Sequence, residues 1–68
     1  MDSYYVNRNP QRNGEHEVHR SICSHLPSKE NLIPLGTFTD CVDAIIAAKK
    51  LFPTVDGCMY CCYECHHH

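Results

Sequence analysis

The chain has 68 residues, six of them Cys and six His, with a formal net charge of −2. A chain this short buries too little apolar surface to be comfortably stable alone, so a disulfide, a metal or a partner chain is expected to complete it. Its cations, Arg8, Arg12, Arg20, Lys29, Lys49 and Lys50, are scattered and form no basic stripe. The phosphate-neutralising footprint of a dedicated nucleic-acid binder is therefore missing.

The first residues, Met1 to Arg8, contain no basic segment followed by an apolar one, and no apolar run reaches the length of a membrane span. The expected compartment is the reducing cytoplasm, where clustered cysteines are metal ligands more often than disulfides. Residues 1–65 are expected to form a single domain. The tail His66-His67-His68 resembles the stub of a purification tag. It is set aside, with His66 alone kept as a doubtful ligand.

In chain order, Ser3 to Asn7 is rich in Tyr and Val and reads as a strand. Asn7 to Gly14 is polar and carries Pro10 and Gly14, the composition of a loop. Glu15 to His19 alternates around Val18 and is expected to pair with the first strand as a hairpin. Cys23 to Ser28 reads as a tight turn. Asn31 to Phe38 reads as a further strand, with Pro34 marking an edge or a bulge.

A helix is expected over residues 40–52. Thr39 or Asp40 can cap it, because a short oxygen-bearing side chain accepts from a free backbone N–H. Val42, Ile45, Ile46 and Phe52, with Cys41, Ala44 and Ala48, recur at helical spacing and predict one apolar face. Asp40 and Asp43 at the start, and Lys49 and Lys50 at the end, suit the helix dipole. Pro53 stops the run, since it lacks an N–H and disfavours helix in the residue before it. Asp56-Gly57 then reads as a turn leading into Cys58-Met59-Tyr60-Cys61-Cys62-Tyr63-Glu64-Cys65. The expected fold class is α+β: a small antiparallel sheet of two or three strands on one helix, closed by a Cys/His knuckle.

Two ligand pairs stand out. His19 and Cys23 are separated by three residues, and Cys58 and Cys61 by two. One pair before the helix and one after it is how tetrahedral zinc sites are assembled from distant segments. A competing register uses Cys62 and Cys65, with His66. Adjacent Cys61 and Cys62 should rarely share one ion, because neighbouring side chains diverge. Asp56-Gly57 favours the Cys58/Cys61 register by presenting it on a turn. Disulfides among Cys58, Cys61, Cys62 and Cys65 stay open as an alternative. Cys41 is expected to be a buried free thiol acting as a small hydrophobe.

The string Val18-His19-Arg20-Ser21-Ile22-Cys23, then Glu30-Asn31-Leu32, the helix, and Gly57-Cys58-Met59-Tyr60-Cys61 resembles the Ada-type metal-binding domain. That domain occurs in DNA-alkylation repair proteins and as a short tail in some nucleases. The likeness spans residues 16–62 and implies zinc, with His19, Cys23, Cys58 and Cys61 at the four ligand positions. His19 stands where the repair domain has its methyl-accepting Cys, so the resemblance carries the metal and not the thiolate chemistry. The extra Cys62, Cys65 and His66, and the longer segment before the last pair, depart from the pattern. The chain is also similar to short proteins of bacterial mobile elements.

No other group of residues makes a catalytic set. Glu15, His16, Glu17 and His19 lack the His-Glu-x2-His spacing, and an extended segment would split them between two faces. His16 and His25 are expected at the surface. Tyr4, Tyr5, Tyr60 and Tyr63 can stack bases, but in so small a domain they are expected to belong to the core and its rim. The functional expectation is a non-enzymatic, zinc-stabilised binding module for a protein partner or, less favoured, nucleic acid. The alternatives are a thiol-redox or metal-handling protein and an accessory DNA-binding module.

Overall fold

A computed structural model of the chain describes residues 1–67. His68, the last residue of the tail set aside above, lies outside the described residues. Four strands form one mixed sheet in the order β3-β1-β2-β4. They are β1 (Asp2–Asn7), β2 (His16–Arg20), β3 (Leu32–Phe38) and β4 (Val55–Gly57), with one helix, α1 (Cys41–Lys49), between β3 and β4.

β1 and β2 pair antiparallel as a hairpin, Tyr5 opposite His19 and Val6 opposite Val18. β3 pairs antiparallel with the other side of β1, and its register slips between Tyr4 and Tyr5. Tyr4 faces Gly36 while Tyr5 faces Pro34, so Leu35 is the extra residue of a bulge. Pro34 thus sits on an edge strand beside an irregularity, where a missing N–H is tolerated.

β4 corrects the reading of Asp56-Gly57 as a turn. These residues continue the sheet, with β4 parallel to β2, Glu17 beside Asp56 and Val18 beside Gly57. A parallel neighbour needs a long crossover, here β3 and α1. The ladder runs on past the strand, through the Cys58 N–H to the Val18 carbonyl at 2.9 Å. The α+β class stands, with a fourth strand that makes the sheet mixed.

Side chains alternate across a sheet, and the two faces here differ in kind. Tyr4, Val6, Val18 and Val55 form the core with Cys41, Ala44 and Ala48 of the helix. Burying these apolar surfaces supplies most of the stabilisation, at about 25 cal/mol per Å². Glu17, His19 and Asp56 occupy the alternate positions and face the other way.

The helix is capped by Asp40, whose carboxylate accepts from the N–H groups of Val42 and Asp43 at 3.1 and 3.4 Å. It ends at Lys49, short of the expected residue 52. Its buried face is the small one, Cys41, Ala44 and Ala48, with Ile45 half-buried. Val42 and Ile46, expected on the core face, are each 54% exposed. The reason is proximity: small residues let the helix backbone approach the sheet, and the larger residues are rotated outward.

Gly57 is fixed by close packing. A Cβ there would lie 2.8 Å from both the Cys62 carbonyl oxygen and the Cys65 Cβ. Two short 3-10 turns, Lys29–Asn31 and Tyr63–Cys65, complete the fold. Among the described residues, no helix is long and apolar enough to cross a membrane.

Candidate metal centre

Three segments converge at the end of β2. His19 is the fourth residue of that strand, Cys23 follows in the turn after it, and Cys58 and Cys61 leave β4. One ring nitrogen of His19 and the Sγ atoms of Cys23, Cys58 and Cys61 all lie within 4.8 Å of one another. His19 and Cys58 are each 1% exposed and Cys23 is 9% exposed, whereas Cys61 is half-buried at the rim.

The backbone is arranged around sulfur. The His25 N–H donates to Cys23 Sγ at 3.3 Å, and the Tyr60 N–H donates to Cys58 Sγ at 3.4 Å. Both are bonds from the residue two positions on, the turn that points a thiol back at its own amides. The Arg20 N–H reaches Cys61 Sγ at 3.2 Å from the other side. Amide donors aimed at sulfur stabilise a thiolate and leave its remaining lone pairs for an ion.

Spacing tests the fit. Cys23 Sγ and Cys58 Sγ are 3.8 Å apart. Thiolates bound at about 2.3 Å to one tetrahedral ion are separated by about 3.8 Å along the tetrahedron edge. The imidazole adds a second observation. His19 Nε2 lies 3.2 Å from Glu17 Oε1, while the buried Nδ1 has no hydrogen-bond partner. A buried imidazole and three thiols whose ligand atoms converge form a donor set of the Cys3His kind.

Burial, and then His25, hold the His19 pKa down, so the ring is kept neutral. Burial pushes the thiols of Cys58 and Cys61 up, against the lowering effect of their amide donors. Burial and then Asp56 raise the Glu17 carboxyl. A cation among these sulfurs would reverse the balance at the thiols, since coordination requires the deprotonated form.

The remaining cysteines go elsewhere. Cys41 is not a free thiol: it is bonded to Cys65, tying the start of the helix to the last turn of the chain. This corrects the reading of Cys41 as a free small hydrophobe. Sequence could not find the pairing, because six Cys allow 15 complete connectivities. Cys62 is fully buried among the core residues, with its Sγ 3.7 Å from that of Cys61.

His66 and His67 are docked rather than loose. His66 Nδ1 lies 3.1 Å from Asp56 Oδ2 and 3.0 Å from the Gly57 carbonyl oxygen, and the His67 N–H donates to Asp56 Oδ1 at 2.7 Å. The three members of the competing register thus have other engagements: a core position, a disulfide and a carboxylate. His16 also departs from expectation. It is half-buried, stacked on Phe52 at 3.6 Å, with Nδ1 2.9 Å from the Asn7 carbonyl oxygen.

Arg20, Ile22, Ser24 and Tyr60 line a pocket at the rim of the cluster, beside Cys23 and Cys61. His25 is exposed and stacks on Tyr60 at 3.8 Å. Ile22, Met59 and Tyr60 are 74%, 48% and 67% exposed. Tyr4 lies in the core, whereas Tyr60 and Tyr63 lie at the surface. The chain matches no protein-family model, no curated protein and no solved structure.

Proposed function

We propose that this chain is a non-enzymatic binding module whose fold is completed by one zinc ion held by His19, Cys23, Cys58 and Cys61. The observation that carries the reading is the convergence of those four donors within 4.8 Å, in a chain with a small apolar core. Three thiolates and an imidazole suit zinc, which favours tetrahedral sulfur and nitrogen coordination. The likeness to the Ada-type domain points to the same four positions, and His19 removes methyl acceptance at the first of them. The ion would join the hairpin to the segment after β4. With four protein donors the site is closed, which is the structural rather than the catalytic form.

The partner best suited to this module is a protein. Ile22 and Tyr60, with Arg20, line a pocket beside Cys23 and Cys61, and His25 stacks on Tyr60; aromatic and Arg side chains of this kind are enriched in protein interfaces. No cationic stripe accompanies them to neutralise phosphates. A thiol-redox role is disfavoured because reactive thiols need depressed pKa values, and burial raises those of Cys58, Cys61 and Cys62.

Elemental analysis of the chain purified without an added affinity tag tests the metal. One zinc per chain is expected, with a large fall in melting temperature on chelation. A metal-free protein whose melting temperature is unchanged by chelator would remove this reading.

A further inference from the structure

His19 has two ring nitrogens, and the structure treats them differently. Nε2 lies 3.2 Å from Glu17 Oε1, and Nδ1 is buried with no partner. Glu17 and His19 are two residues apart on β2, so their side chains share one face of the sheet. That placement lets the carboxylate reach the ring from the same strand, on a rigid element. A neutral imidazole donates from one nitrogen and offers a lone pair from the other, and a partner at one nitrogen decides which.

Glu17 is itself held in a built environment. It stands directly beside Asp56 across the parallel β2–β4 pair. Asp56 is fully buried and receives His66 and the His67 N–H. The outer face of the sheet therefore carries a polar row running from His19 through Glu17 and Asp56 to His66. One end of the row is the cysteine cluster, and the other is the end of the chain.

We propose that Glu17 is the positioning residue of this cluster: it accepts the Nε2–H of His19 and leaves Nδ1 as the nitrogen that binds the metal. This rests on the zinc reading above and specifies how its one nitrogen ligand is oriented. A carboxylate behind a ligating imidazole fixes the tautomer and the ring plane and raises the basicity of the donor nitrogen. A ligating ring nitrogen offers one lone pair, so unlike the sulfurs it has none to spare for an amide donor, and the ring is oriented from its other nitrogen, where Glu17 lies.

The test uses the full chain with zinc as the probe. Long-range proton–nitrogen NMR of the imidazole should show His19 protonated at Nε2, with Nδ1 carrying the metal. Competition against a chromophoric chelator should show Glu17→Ala binding zinc about 10- to 100-fold more weakly than the parent. Glu17→Gln keeps an acceptor oxygen and should recover most of that loss, which a role resting on the Glu17 charge alone would not predict; the nitrogen assignment separates the proposal from a purely steric role. Zinc bound through Nε2, or Glu17→Ala binding as tightly as the parent, would overturn the inference and leave the zinc site standing. A parent chain that binds no zinc would overturn both. If Glu17→Ala fails to fold, the nitrogen assignment in the parent and the affinity of Glu17→Gln decide the matter.

Discussion

Cys23 Sγ and Cys58 Sγ lie 3.8 Å apart across a sequence separation of 35 that includes β3, the helix and β4. That contact joins the turn after β2 to the segment leaving β4, and it exists because those two strands are parallel neighbours. Parallel strands end on the same side of a sheet, so the residues that follow each of them are delivered to one place.

The first prediction concerns which cysteines matter. Cys23→Ser, Cys58→Ser and Cys61→Ser should each abolish stoichiometric zinc, whereas Cys62→Ala should keep about one ion per chain while losing some stability from its fully buried site. Metal content by mass spectrometry under native conditions reads the difference. Loss of zinc in Cys62→Ala with retention in Cys61→Ser would establish the other register.

The disulfide gives a thiol count. In denaturant without reductant, titration should find four thiols, those of Cys23, Cys58, Cys61 and Cys62, and reduction should raise the count to six. Replacing Cys41 and Cys65 by Ala releases a loop constraint spanning a sequence separation of 24 and should cost about 3 kcal/mol. Denaturant unfolding of the zinc-loaded chain measures it. A cost near zero would mean the bond adds nothing beyond the packing around it.

Gly57→Ala should be costly for its size. The added methyl would meet the Cys62 carbonyl and Cys65 Cβ at 2.8 Å, backbone and a disulfide-linked residue that cannot swing aside. A loss of ~1–3 kcal/mol is expected from such overpacking. Gly14→Ala makes a useful contrast, since nothing lies within 4 Å of its new methyl and only the φ of +90° opposes it. Equal melting temperatures for Gly57→Ala and the parent would contradict the packing of β4.

Chelated protein should be most stable at intermediate pH. Burial lowers the His19 pKa from 6.5, so below about pH 6.5 the unfolded chain binds protons that the folded one refuses. Stability from this group is complete above that pH and is lost as pH falls toward the folded value. The thiols act in the opposite direction. Burial raises Cys58, Cys61 and Cys62 above 9.0, so their contribution is complete below about pH 9 and is lost as pH rises through the folded values. Bound zinc keeps the ligating thiols deprotonated and should remove most of the alkaline fall. Thermal melts of chelated and loaded protein across pH 5–10 report both limbs, and a flat chelated profile would refute the assignment.

Much of the fold was legible because it rests on local rules. Tyr and Val in β1, Pro34 on an edge and Asp40 before the helix each announce themselves by covalent geometry or a single hydrogen bond, whereas Pro53 marked only an outer limit for a helix that ends at Lys49. Val42 and Ile46 misled because periodicity reports hydrophobicity, and the sheet selected the stripe of smallest residues instead. Asp56-Gly57 misled because its turn-like composition hid a strand only three residues long, whose pairing partner lies far away in the chain.

The sequence by itself determined that this protein needs something beyond a hydrophobic core, and it named His19, Cys23, Cys58 and Cys61 as one way to supply it, since ligand spacing is written in the chain. Only the tertiary structure decided which sulfurs meet. The parallel pairing of β2 and β4 gathers those four donors, and the meeting of the helix start with the last 3-10 turn takes Cys41 and Cys65 into a disulfide. The physical reason is that each of these outcomes depends on contacts between residues remote in sequence, which strand pairing and helix packing together bring within reach.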